Sequence, residues 1–101
     1  NLFRAMAHAI QMSKMRWRLV DQKYPALKSE EAFYMATKGG GSFFGKVGSF
    51  EEGYEFDAVV LDDSRLESSR QMSVKDRLER MIYLADEREV KAKYVRGNKI
   101  I

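Results

Sequence analysis

Six of the seven glycines fall between Gly39 and Gly53, and nothing else limits the fold of this chain so much. Glycine loses the most backbone entropy on ordering and gives a core no side chain. A stretch so rich in it reads as turns and divides the 101 residues into two halves. Within it, Gly40-Gly41-Ser42-Phe43-Phe44-Gly45-Lys46-Val47 matches a phosphate-binding loop, G-x-x-x-x-G-K followed by Ser or Thr, at every position but the last. Such a loop needs a strand before it and a helix after it, so that backbone N–H groups and a helix N-terminus converge on the anion. Here a helix is predicted before the loop, and a turn and a strand after it. Val47 stands where a hydroxyl would hold magnesium. Phe43 and Phe44 suit packing better than a phosphate cradle. The glycines therefore read as turns and close backbone approaches, with one short helical turn at Ser42–Phe44.

The N-terminal half reads as helical. Phe3, Met6, Ala7, Ile10, Trp17 and Val20 recur at helical spacing and predict a helix over 2–23. Lys14, Arg16 and Arg18 lie near its end, where they suit the helix dipole. Pro25 disfavours helical geometry at Tyr24 and closes the segment. Ser29 is the expected cap of a second helix, with Glu30 and Glu31 in its first turn. That helix runs through Ala32, Phe33, Met35 and Ala36, and Gly39 is its expected stop.

The C-terminal half predicts a strand over 55–62, a helix over 74–85 and a hairpin over 89–101. Phe56-Asp57-Ala58-Val59-Val60-Leu61 is apolar and rich in β-branched residues, which suggests a strand buried on both faces. Residues 62–72 are polar and expected to be mobile. Ser73-x-x-Asp76 is a capping signature. Behind it Val74, Leu78, Met81, Ile82 and Ala85 keep to one helix face. Val90 to Val95 reads as a strand that turns at Gly97-Asn98 and returns through Lys99-Ile100-Ile101. The fold class is α+β.

Composition narrows the function classes. With no cysteine there is no disulfide, no thiolate catalysis and no Cys-type zinc site. No apolar run approaches the roughly 18 residues that span a bilayer, and the amphipathic opening shows no signal-peptide pattern; a cytoplasmic protein is the expectation. A net charge of +3 is too mild to argue for nucleic acid. Three places could still carry chemistry. His8 is the single histidine, and a zinc site around it would need carboxylates for its other ligands. Asp62-Asp63 at the strand end could hold a hard cation, although paired acids there also suit a solvated turn. Lys14, Arg16 and Arg18 around Trp17 could meet nucleic acid, or form a solvated helix face. None of these makes a self-sufficient catalytic set.

A longer pattern goes further. Gly48-Ser49-Phe50-Glu51-Glu52-Gly53, followed by Phe56-Asp57-Ala58-Val59-Val60-Leu61-Asp62, resembles the segment of the zinc amidohydrolases that delivers the chain into a small β-domain beside the barrel. The ending Tyr94-Val95-Arg96-Gly97-Asn98-Lys99 is similar to that family's closing hairpin. Tyr54-Glu55-Phe56-Asp57 and Ile82-Tyr83-Leu84-Ala85-Asp86 tilt the resemblance toward the guanine deaminase and chlorohydrolase branch. It implies that residues 1–47 are the last helices of a (β/α)8 barrel with a Gly-rich connector. Residues 48–101 would be the C-terminal part of the composite β-domain.

The resemblance also implies what this chain lacks. The family holds zinc with an H-x-H pair, two further histidines and an aspartate, and none of these can be carried onto His8, Asp57, Asp62 or Asp63. The expectation is a scaffold piece with no catalytic, cofactor-binding or metal-ligating residue of its own. Its parent would use zinc to convert guanine to xanthine and ammonia. Its partners would be the rest of the barrel and β-domain and a second copy, with no nucleic acid and no membrane. Two readings stay open beside it: a chlorohydrolase or deaminase acting on another heterocycle, and a self-standing interaction module.

Overall fold

A computed structural model describes residues 1–66 and 71–101. Helix α1 spans Leu2–Leu19. The side chain of Asn1 caps it, Oδ1 accepting the N–H of Phe3 at 2.9 Å and of Arg4 at 3.4 Å. It ends four residues short of the predicted boundary. The N–H groups of Val20 and Asp21 both donate to the Arg16 carbonyl, and the Asp21 carboxylate then takes the Lys23 N–H in a tight turn. Local hydrogen bonding of the kind Asp favours outside helices thus ends α1 before Pro25 can act. Trp17 and Val20, expected on the buried side, are exposed.

Ser13 sets the path onward. Its hydroxyl donates to the Ile10 carbonyl and accepts the Leu27 N–H at 2.8 Å, drawing the loop back along α1. Helix α2 spans Ser29–Tyr34. Lys28, one residue before the expected cap, is the half-in residue, and its N–H donates to Glu31 Oε1 at 2.9 Å. Gly39 does not stop the helical run. A wider, π-type turn carries on over Met35–Gly39, and a 3-10 turn at Ser42–Phe44 follows. Only at Gly45, with φ +110°, does the backbone turn left-handed and leave the helical path.

Strand β1 is Ala58–Leu61, helix α3 is Val74–Leu84, strand β2 is Val90–Val95 and strand β3 is Asn98–Lys99. They form one antiparallel sheet in the order β1-β2-β3. Ser73 caps α3 as its signature predicts, accepting the Asp76 N–H at 3.2 Å. Val74 nevertheless points into solvent, because the first turn of α3 extends beyond the core that buries Ile82 and Ala85. Segment 62–72, expected to be polar and mobile, is described only in part. Asp62–Leu66 is fastened by several hydrogen bonds, and 67–70 lies outside the described residues.

Two corrections concern the sheet. β1 was expected to be buried on both faces, but Val59 is 49% and Val60 43% exposed. It is an edge strand paired only with β2 among the described residues, and Val59 and Val60 point to opposite faces, so neither face is covered. The hairpin turn is Arg96-Gly97, one residue earlier than predicted, with Val95 opposite Asn98. Both turn residues have positive φ, as a two-residue hairpin turn requires. Arg96 is held there because its N–H donates to Asp57 Oδ1 at 2.9 Å, while the Gly97 N–H donates to the Phe56 carbonyl at 2.8 Å.

The core lies among the three helices: Met6, Ala7 and Ile10 of α1, Ala32 of α2 and Ile82 of α3, with Phe3, Leu27, Ala36 and Leu78 around them. The radius of gyration is 15.3 Å, against about 13 Å for a compact 100-residue domain.

Candidate functional site

The loop that resembles a phosphate site has the wrong surroundings. A helical run precedes it and continues through Gly40 and Gly41 into the three-residue turn Ser42–Phe44. Beyond Gly45 the chain forms no helix before β1, so no N-terminus points at Lys46. Phe43 and Phe44 pack edge to face with centroids 5.1 Å apart, but they are 87% and 78% exposed. They fill no core within this chain.

The residues of the amidohydrolase-like pattern instead make separate contacts along the path from the helices into the sheet. Gly48 has φ +85°, and a Cβ there would collide with the Thr37 carbonyl in the π-type turn. Only glycine permits that approach. Glu51 takes the Lys38 ammonium at 2.5 Å and the Ser49 hydroxyl at 2.7 Å, which together hold its carboxyl below the usual range. Asp57 secures the hairpin turn as described. The Asp62 N–H donates to the Glu89 carbonyl at 2.8 Å, while its carboxylate accepts the Ser64 N–H and is held low by it. Each of these side chains is committed to backbone or to a counter-charge.

A second cluster follows. Glu89 is 1% exposed, the one buried charged residue among those described. Its Oε1 takes Arg65 through Nε at 2.6 Å and Nη2 at 2.5 Å, and its Oε2 accepts the Asp86 N–H at 2.8 Å. Asp86 accepts the side chain and N–H of Arg88, which hold its carboxyl far below the usual range. Asp63 forms a two-bond pair with Arg77, both at 2.8 Å, and is lowered by it. Sequence reasoning missed Glu89. Its signal was present, since Asp86-x-x-Glu89 has the same capping spacing as Ser73-x-x-Asp76.

The remaining candidates stay apart. His8 is exposed and lines a polar cleft of about 200 Å³ with Arg4, Gln11, Tyr83 and Asp86. Asp62 and Asp63 face different partners. Among the described residues no group of three or more His, Asp or Glu side chains is placed to hold a metal. The residues present therefore do not fit the zinc centre that the resemblance implies. Lys14, Arg16 and Arg18 are solvated, and Arg16 lies 6.0 Å from the Tyr24 ring centroid.

Comparison with known proteins supplies what the geometry leaves open. The model of the amidohydrolase family matches residues 1–100. The chain belongs to the amidohydrolase family. This amidohydrolase chain is 37% identical over 81 residues to the guanine deaminase of Dictyostelium discoideum, a match covering 73% of the chain and 18% of that relative. With the human guanine deaminase it shares 30% identity over 93 residues, covering 81% of the chain and 20% of the relative. A crystal structure of the guanine deaminase of C. acetobutylicum, with guanine bound in its active site, is 55% identical and superposes with a TM-score of 0.92. That match covers 99% of the chain and 24% of the solved one. The guanine deaminase of E. coli superposes with a TM-score of 0.81 at 29% identity, covering all of the chain and 24% of its own. The chain thus spans about a fifth to a quarter of the length of these relatives, and it is guanine-deaminase-like along nearly its whole extent.

Proposed function

We propose that this chain is the C-terminal scaffold of a zinc-dependent amidohydrolase that hydrolyses guanine to xanthine and ammonia in the cytoplasm. The observation that carries this reading is the 55% identity to the C. acetobutylicum guanine deaminase, with a TM-score of 0.92 over 99% of the chain. α1 and α2 are then the last barrel helices, Gly39–Val47 the connector, and 48–101 the C-terminal part of the β-domain. No metal-bound step is assigned to these residues, because none of those described makes a ligand set. Their contribution is positional: Gly48 and Glu51 hold the chain leading to the sheet against the helical run, and Asp57 holds the hairpin turn. The extended shape and the many exposed apolar side chains suit a piece that packs against further protein.

The test has two arms. The isolated chain is expected to lose zinc on dialysis and to form no xanthine above a buffer blank. Stoichiometric retained zinc, or xanthine formation, ends the scaffold reading. A longer protein containing this chain is expected to carry the H-x-H pair, two further histidines and an aspartate upstream, and to release xanthine and ammonia from guanine. One that leaves guanine intact and hydrolyses another heterocycle removes the substrate assignment.

A further inference from the structure

α1 is apolar on two sides. Phe3, Met6, Ala7 and Ile10 face the core. Ala5, Met12, Met15 and Leu19 recur at spacings of seven, three and four on the opposite side at helical period, with the exposed His8 between Ala5 and Met12. All four are exposed, and Met12, Met15 and Leu19 are each more than half exposed. A helix apolar on both sides belongs between two layers of protein, and the described residues supply one.

The charge of α1 bears on what supplies the other. Leu2–Leu19 contains Arg4, Lys14, Arg16 and Arg18 and no acidic residue at all. Two copies joined along this stripe would bring together the Arg4 and Arg16 that flank it on each, with no carboxylate of α1 between them, which is unfavourable. The same fold also sits within a chain about four times as long in the C. acetobutylicum enzyme, whose other three quarters lie outside the match.

We propose that the stripe Ala5-Met12-Met15-Leu19 is the surface on which this chain seats the remainder of the longer amidohydrolase, against an apolar face rimmed with carboxylates. This rests on the scaffold reading above. It goes beyond that reading by assigning the docking to one face of one helix.

The experiment replaces the matching quarter of the C. acetobutylicum guanine deaminase with residues 1–101 and measures soluble yield and xanthine formation. The unmodified chimera is expected to be soluble and active. Met12→Asp with Met15→Asp is expected to lower soluble activity by about tenfold or more, because an unpaired carboxylate is driven out of an apolar contact. Val74→Asp, an exposed apolar residue on α3, serves as the matched control and should leave activity unchanged. A stripe variant as active as the unmodified chimera overturns the docking surface alone. An inactive or insoluble unmodified chimera overturns the scaffold reading, and the proposal with it. In the isolated 101-residue chain the stripe variant should keep its helical circular dichroism. Unfolding there would place the stripe in the chain's own core, and a dimer that the variant dissolves would make a second copy the occupant; either result overturns the proposal.

Discussion

Removing Arg65 should cost this chain more than removing any other surface arginine. Arg65 is 44% exposed at its side chain, yet among the described residues it is the sole cation paired with a carboxylate that is 0% exposed. Arg65→Ala leaves Glu89 with the Asp86 N–H on one oxygen and nothing charged on the other. Stranding a buried charge costs about 3–5 kcal/mol. The low end applies, because water can enter where the guanidinium stood, giving a loss of about 3 kcal/mol. At about 4–8 °C per kcal/mol for a domain of this size, the melting midpoint falls by roughly 12–24 °C.

The comparison variant is Arg77→Ala. Its pair with Asp63 has equally good geometry but is open to solvent on both sides, with Arg77 51% and Asp63 23% exposed. An exposed pair is worth about 0.2–1 kcal/mol. Urea unfolding of both variants, and of Glu89→Gln alone and combined with Arg65→Ala, measures the difference. A coupling of about 1.5 kcal/mol or more between Arg65 and Glu89 is expected for a hydrogen bond to a charged group. Coupling below about 0.5 kcal/mol, the range of independent sites, or an Arg65→Ala loss no greater than that of Arg77→Ala, refutes the argument that burial of Glu89 sets the scale.

Three further outcomes follow from the same structure. The carboxyls of Asp63 and Asp86 are held below their ordinary values by Arg77 and Arg88, so their contribution is present above the unfolded value of about 3.9 and is lost as pH falls below it; a urea midpoint that does not decline from about pH 6 to about pH 3 contradicts this. Gly48→Ala and Gly53→Ala share a native φ of +85°, but only the first drives a Cβ into the Thr37 backbone; Gly53→Ala should cost about 1–2 kcal/mol and Gly48→Ala clearly more, and equal losses by denaturation would remove the close-approach argument. Val59→Lys places a cation opposite Lys93 on a half-exposed edge strand, so the isolated chain should lose only about 0.2–1 kcal/mol while any concentration-dependent association through the β1 edge weakens; sedimentation in which the variant associates as strongly as the parent sequence would falsify edge pairing.

The elements easiest to read were those whose signals are local. Ser73 capped α3 where its spacing said it should, and Val90–Val95 formed the expected strand. The misreadings arose where a local preference met a more specific contact. Gly39 looks like a helix stop in isolation, but the wider turn after Tyr34 carries the helical path on to Phe44. Gly97 was read as the first turn residue, whereas Asp57, 39 residues upstream, pins Arg96 at positive φ and moves the turn back by one. The burial of β1 was misjudged for a different reason. A run such as Ala58–Leu61 states that a strand is apolar, but the number of layers that cover it depends on the other elements present.

The candidate site was legible only as a resemblance, and the structure gives the physical reason. Catalytic chemistry can be read from residue types because few side chains can move a proton or hold a metal. The residues here that match the amidohydrolase pattern are of another kind. Gly48 must lie against the Thr37 backbone, Glu51 must reach Lys38, and Asp57 must hold a turn far away in sequence. Each requirement concerns the meeting of two distant segments, which no short window of sequence displays. A junction of this sort admits few residues at each position while performing no reaction. Its pattern can therefore mark a family without saying what the family does, and the assignment to a guanine-deaminase-like amidohydrolase came from the match over the whole chain and from none of its side chains alone.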